Sequence, residues 1–237
     1  MTWKIQQQQW DSDFFGFDIA KISGNGSVEA LLTLMDTLKN EGIRLAYVYP
    51  ESFLDTNKLI SAGLENIYQT TYSTYQCSIP SSGIFPIPEV TEFDITMDIP
   101  AIEELAIISG SNARFSKDTN FKQGASGQFY KQWIHNAMDK RFDDILLVHT
   151  KEKKVQGIIT GRIADNKVVI GLLGVHPDYL HQGVGTRLLL SIQHWASSKK
   201  MTQVQVTTQK DNSAAVQLYN KNGFVKIADI EIYHIWL

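Results

Sequence analysis

Two closely spaced glycines mark the first place where the backbone itself can do chemistry. Residues 174–189 read GVHPDYLHQGVGTRLL; the apolar run VVIGLLGV (168–175) enters His176 and Pro177, and Gly183 and Gly185 precede a leucine-rich segment. Glycine lets a backbone approach a ligand closely, and a helix start offers unpaired N–H groups at the positive end of its dipole. That combination binds anions. An ordinary strand-to-helix loop uses the same residues, so the glycine pair alone leaves both readings open. Further on, Asn212 and Tyr219 lie seven residues apart, about two helical turns, and can face one side of a helix.

The elements needed to position these residues can be read from periodicity and breakers. ILLVHTK, VQGIITGRI and KVVIGLLGV read as three strands, GTRLLLSIQHWASSK (185–199) as a helix, and VQVTTQ (204–209) as a strand. NSAAVQLYNKN follows as a short helix and FVKIADIEIYHIWL as a final β-rich stretch. Upstream lie two helices, PAIEELAIISG (100–110) with Pro100 in its first turn and SGQFYKQWIHNAMDK (126–140) with Ser126 as N-cap.

The first part of the chain has its own alternation. WDSDFFGFDIAKI (10–22) reads as a turn into a strand, SVEALLTLMDTLKNEG (27–42) as a helix, IRLAYVYP as a strand, TNKLISAGL (56–64) as a short helix and YQTTYSTYQCSI (68–79) as a β-run. SIPSSGIFPIPEV (78–90) holds three of the six prolines and is the linker candidate. The expected organisation is an N-terminal α/β domain over 1–88 and a second α/β domain over 89–237. LISAGLENI (59–67) also aligns with YNKNGFVKI (219–227), matching Gly63 to Gly223 and Ile67 to Ile227, which is compatible with an internal duplication.

Composition narrows the classes. The 237 residues are 43% hydrophobic and 20% charged, with a net charge of −3, which suits a globular chain with a sizeable core and disfavours a general nucleic-acid binder. The single cysteine, Cys77, cannot form an internal disulfide or a multi-cysteine metal site, and reads as a small buried hydrophobe. No metal is expected. The N-terminus lacks the layout of a signal peptide, and no apolar run approaches the roughly 20 residues that span a bilayer. A cytoplasmic protein is therefore expected, with its oligomeric state open, a homodimer included.

The order strand, glycine loop, helix, strand, short helix resembles the GNAT superfamily of acetyl-CoA-dependent N-acetyltransferases, through VHPDYLHQGVGTRLL and NSAAVQLYNKNGF. The resemblance implies a GNAT fold, an α/β (α+β) architecture whose central mixed, splayed sheet is flanked by helices, preceded here by a smaller N-terminal α/β domain that reads as half of such a unit. It implies that amides of His181, Gln182, Gly183, Val184, Gly185 and Thr186 cradle the coenzyme A pyrophosphate. Backbone groups of Leu173, Gly174 and Val175 would hold the pantetheine arm, and an N–H there would stabilise the thioester oxyanion. Asn212 would orient the arm. Tyr219 would protonate the departing thiolate, as a phenol with a pKa of about 10 can. The family commonly carries Arg or Gln where this chain has Leu180. The general base is not identified; His135, His149, His194 and His234 read as structural.

The acceptor is read from other stretches. WDSDFFGFDIAKI, NARFSKD…GASGQFYKQWIHNAM (112–138) and VTTQKDNSAAVQLY (206–219) are similar to acetyltransferases acting on TDP-linked amino sugars, the TDP-fucosamine acetyltransferase family. This implies a 4-amino sugar nucleotide such as TDP-4-amino-4,6-dideoxygalactose, acetylated for surface polysaccharide biosynthesis. Arg114 and Lys117 would face its diphosphate, and Phe115, Phe129, Tyr130 or Trp133 would stack on thymine or sugar. The same aromatics also fit the core stripe of a helix. Two alternatives remain open: a GNAT enzyme acting on a protein or small-molecule amine, and a non-catalytic acyl-CoA-binding module.

Overall fold

The structure, a computed structural model, describes residues 3–80 and 85–237. The chain opens with β1 (Trp3–Gln7), α1 (Gln9–Phe15), β2 (Ile19–Gly24), α2 (Val28–Asn40), β3 (Leu45–Pro50), α3 (Thr56–Ser61) and β4 (Ile67–Ser78). It continues through β5 (Val90–Glu92), α4 (Ile99–Ser109), α5 (Arg114–Lys117) and α6 (Ala125–Met138). Then come β6 (Ile145–Lys151), β7 (Lys154–Ala164), β8 (Lys167–Val175), α7 (Val184–Ser198), β9 (Gln203–Gln209), α8 (Ser213–Lys221) and β10 (Val225–Trp236). Among the described residues no helix is long and apolar enough to cross a membrane.

Local chemistry explains most boundaries. Ser27, Asp55 and Asp98 cap α2, α3 and α4 through their side-chain oxygens. Two local expectations change. The stretch 10–22 starts as α1 rather than as a turn, because Ser12 Oγ takes the Ile19 amide at 2.9 Å and folds the segment back on itself. Ser126 lies inside α6 rather than at its cap; Gly124 holds the cap position, and Ser126 Oγ stands 2.6 Å from Ser116 Oγ.

Packing divides the chain into Met1–Tyr72 with Asp229–Leu237, and Ser73–Ala228. The expected boundary at 88/89 thus differs from the division by packing. Tyr75 and Cys77 of β4 are buried with Val204 and Tyr219 of the second unit, whereas Tyr233 to Trp236 of β10 pair with β3 in the first. Residues 81–84 of the linker candidate lie outside the described residues.

In the first unit β1 is antiparallel to β2, β2 parallel to β3, and the end of β10 antiparallel to β3. Leu31, Met35 and Leu38 of α2 pack with Ile22, Val48 and Leu59. In the second unit the strands run in the order β4-β9-β8-β7-β6-β5. β8 and β9 are parallel and β5 through β8 antiparallel, so the sheet is mixed. Helices cover both faces. Gly174 of β8 abuts the Leu105 carbonyl of α4, while its neighbours Leu173 and Val175 pack with the Val184, Leu188 and Ile192 core of α7. Successive residues of a strand face opposite sides.

Candidate functional site

β8 and β9 pair from Lys167 opposite Gln203 to Ile170 opposite Val206, and β8 then runs on to Val175 outside this pairing. A bulge sits where the two strands part. The β7–β8 register shifts between Ile159 and Gly161, so Gly171 and Leu172 together face Thr160. The Leu172 amide is taken at 2.9 Å by the Thr160 hydroxyl in place of a ladder carbonyl. A bulge bends its strand, and here it accompanies the splay expected of the sheet.

The splay leaves backbone groups open. The His176 amide donates to the Gln156 carbonyl of β7 at 2.9 Å. By the two-residue alternation Gly174 faces the same way, opposite Ile158, and Leu173 and Val175 aim their N–H and C=O groups into the gap. Of the three strand residues expected at the cofactor, Gly174 is therefore spent on β7 and α4. Its missing side chain serves the close approach of α4.

The loop leaving β8 carries the glycine pair. His181 and Gly183 adopt positive φ of 60° and 82°, a conformation that turns successive amides toward one side. The first recorded α7 amide bond is from Arg187 to the Gly183 carbonyl at 3.0 Å. Among the described residues no acceptor is recorded for the six amides from His181 to Thr186. This unpaired run, at a helix start, fits an anion.

The two glycines do different work. Gly183 has the backbone geometry that excludes a side chain cheaply accommodated elsewhere. Gly185 lies against α8: a Cβ there would sit 3.0 Å from Leu218 Cδ2. Asn222 adds a second tie, with Nδ2 donating to Thr186 Oγ1 at 3.3 Å. Arg187, which pattern reasoning passed over, donates to the Gln182 carbonyl at 2.9 Å and places a cation beside the loop. Its one sequence signal is a cation four residues after Gly183. Gln182 Nε2 folds back onto the Asp178 carbonyl at 2.9 Å. Val184 is buried in the α7 core.

Tyr219 is 4% exposed and rests against Tyr75 and Phe224, with ring centroids 5.9 and 5.7 Å away. Burial raises its phenol pKa well above the usual value, which keeps the proton on oxygen. Among the described residues its hydroxyl makes no hydrogen bond. Asn212 does not share a helix face with it. Asn212 is the N-cap of α8: Oδ1 accepts from Ala215 N and Nδ2 donates to Thr208 Oγ1, both at 3.3 Å.

The acceptor candidates divide. Phe115, Phe129 and Tyr130 are buried, with Phe129 tilted against Phe115 and edge-on to Tyr130, so they are part of an aromatic core. Trp133 is partly exposed, stacks on Tyr130 and donates its indole N–H to Asp143 Oδ2 at 3.1 Å. Arg114 holds its guanidinium 4.7 Å from the Phe115 ring centre. Lys117 is paired with Asp211 at 2.7 Å, immediately before the α8 cap, and this ties α5 to the turn after β9. His149 and His234 are buried. Burial pushes the Cys77 thiol up to about 11, so it is an inert hydrophobe.

Residues 115–224 match the acetyltransferase (GNAT) family. The chain is 32% identical over 142 residues to dTDP-fucosamine acetyltransferase of Escherichia coli O6:H1, covering 59% of this chain and 58% of that protein. It is 28% identical over 140 residues to spore coat polysaccharide biosynthesis protein SpsD of Bacillus subtilis, covering 59% of this chain and 48% of that protein. The chain thus aligns with about half the length of these curated relatives. A functionally unknown conserved protein of Staphylococcus epidermidis shares the fold, with a TM-score of 0.65 at 15% identity, over 92% of this chain and 84% of that one.

Proposed function

We propose, from the GNAT acetyltransferase domain that residues 115–224 form, that this chain transfers the acetyl group of acetyl-CoA to the 4-amino group of a TDP-linked 4-amino-4,6-dideoxy sugar, TDP-4-amino-4,6-dideoxygalactose, in the cytoplasm for surface polysaccharide biosynthesis. The observation that carries acetyl transfer is a pair of unpaired backbone stretches on either side of the turn after β8. They are Leu173 and Val175 in the splay and the amides of 181–186. The pair suits an extended thioester ending in a diphosphate. The loop amides, with Arg187 beside them, take the pyrophosphate. Leu173 and Val175 take the pantetheine amides, and an N–H in the gap binds the thioester oxygen as it gains charge, a contact worth several kcal/mol in such sites.

The acceptor amine attacks the thioester carbon, and the intermediate expels a thiolate. Tyr219 gives that thiolate its proton. Asn212 acts through α8: by capping the helix it fixes where Tyr219 stands. The sugar nucleotide is supported by dTDP-fucosamine acetyltransferase and SpsD, and Arg114, a cation on α5 beside the Phe115 ring, is the candidate for the diphosphate.

The test is thiol release from acetyl-CoA with TDP-amino sugars, peptides and polyamines offered in parallel. Turnover is expected with the 4-amino sugar nucleotide. Turnover with peptides or polyamines alone would move the acceptor to another amine, and tight acetyl-CoA binding with no turnover at all would leave a binding module.

A further inference from the structure

We propose that Asp143 is the catalytic base, taking the proton of the acceptor ammonium on the α4–α6 face of Gly171. The assignment rests on the acetyl transfer proposed above and supplies the group that the motifs leave out.

Three observations place it. First, Asp143 is a carboxylate only 3% exposed, yet it belongs to no ion pair among the described residues; its Oδ2 accepts the Trp133 indole N–H at 3.1 Å, and the Thr160 hydroxyl is its other hydrogen-bonding partner. Burying a charge of this kind is costly, and two hydrogen-bond donors with Arg162 nearby are what offset it here. Second, Gly171 is exposed although it lies inside a strand, and a Cβ built on it would stand 2.9 Å from Asp143 Oδ1 and 2.8 Å from Thr160 Oγ1. Only a hydrogen fits between the carboxylate and the open backbone. Third, Gly171 directly follows Ile170, the last β8 residue paired with β9, and precedes Leu173 by two positions. At about 3.3 Å per residue, the carboxylate lies roughly 6 Å along the strand from the backbone proposed to hold the thioester.

Thr160 joins these features. Its oxygen accepts the Leu172 amide, which leaves its hydroxyl proton for Asp143, so the bulge that opens the sheet also orients the base. The groups facing Asp143 are Trp133 from α6, Thr160 and Arg162 from β7, and Asp144 beside it in the chain. Burial is the largest influence and raises its pKa, toward the range where a carboxylate accepts a proton from an ammonium; Trp133, Thr160 and Arg162 oppose that rise.

The proton balance closes. One ammonium N–H bond breaks and an O–H bond forms on Asp143, which later releases the proton to solvent. The free amine forms the C–N bond to give the tetrahedral intermediate, and the thioester C–S bond breaks as that intermediate collapses. Tyr219 protonates the thiolate, and the second proton lost by nitrogen restores Tyr219.

Asp143→Asn keeps the size and an oxygen for Trp133. Its kcat at neutral pH should fall about 10²-fold with calorimetric acetyl-CoA binding unchanged. The decisive readout is pH. The defect should shrink as pH passes the pKa of the acceptor amine, because a free amine needs no base, so the acidic limb of the rate profile should move up to the pKa of the amine. A loss equal at every pH, or no loss, would overturn the assignment. Should Asp143→Asn fail to fold, Trp133→Phe serves: losing the indole donor raises the carboxylate pKa, so the acidic limb should move to higher pH whatever the change in the plateau rate. An unmoved limb there also overturns the proposal. A wild-type protein inactive toward every amine would overturn the proposed function and this assignment together, whereas an active wild type with an unaltered Asp143→Asn profile removes the base alone.

Discussion

Tyr219→Phe separates chemistry from packing in one atom. The ring sits at 4% exposure against Tyr75 and Phe224, and phenylalanine preserves those contacts. The hydroxyl makes no hydrogen bond among the described residues, so its removal forfeits none of the roughly 0.5–1.5 kcal/mol that a typical intramolecular bond contributes. Stability should change by less than about 1 kcal/mol. Loss of a general acid costs about 10²–10⁴ in rate, and a thiolate is a tolerable leaving group, so the lower end is expected. A loss near 10² is about 2.7 kcal/mol of barrier, at 1.36 kcal/mol per tenfold. The assay is thiol release under saturating acceptor, with acetyl-CoA affinity by calorimetry and thermal unfolding alongside. The drop should fall on kcat with KM nearly unchanged. The pH sign follows from burial: an acid acts while protonated, and a raised phenol pKa moves its alkaline limb upward, so no limb from Tyr219 should appear below about 10. Near-normal kcat in a folded Tyr219→Phe protein would return Tyr219 to the helix core.

Three further outcomes are expected. Gly183→Val should raise the KM for acetyl-CoA strongly, because φ of 82° disfavours a branched residue and its Cβ would lie 3.2 Å from Arg187 Nη1; an unchanged KM in the folded variant would make the loop merely structural. Gly185→Val should instead lower the thermal midpoint through Leu218, and Leu218→Ala on that background should recover part of the loss; additive losses would exclude the contact. Arg114→Ala should weaken sugar-nucleotide binding in calorimetry and leave acetyl-CoA binding alone, and equal losses for both ligands would point to a folding defect.

Much of the second unit was legible because its signals are local. Three apolar runs, a glycine loop and the apolar spacing of α7 are properties of neighbouring residues, and the strand and helix boundaries follow them. So was the strip of loop amides, since positive φ and an uncapped helix start come from the chain around Gly183. The identity of the residues that touch across the fold was not local. Seven-residue spacing placed Asn212 and Tyr219 on one helix face, yet a cap lies outside the helix, and the Thr208 hydroxyl that holds Asn212 comes from β9. Helical spacing offered Phe129, Tyr130 and Trp133 as stacking surfaces with equal weight; burial by Phe115, and the reach of Trp133 to Asp143, distinguished them.

Sequence alone determined the α/β class, the order of elements and the glycine loop before α7, because helix starts, strands and turns are set by interactions a few residues apart. Only the tertiary structure decided that Gly185 serves Leu218, that the packing boundary falls at Tyr72 and Ser73, and that Asp143 and Gly171 meet at the splay. Asp143 and Gly171 are 28 positions apart in the numbering and belong to different segments. Their meeting depends on strand register and on one bulge, and register is a property of two strands at once, which no single stretch of sequence contains.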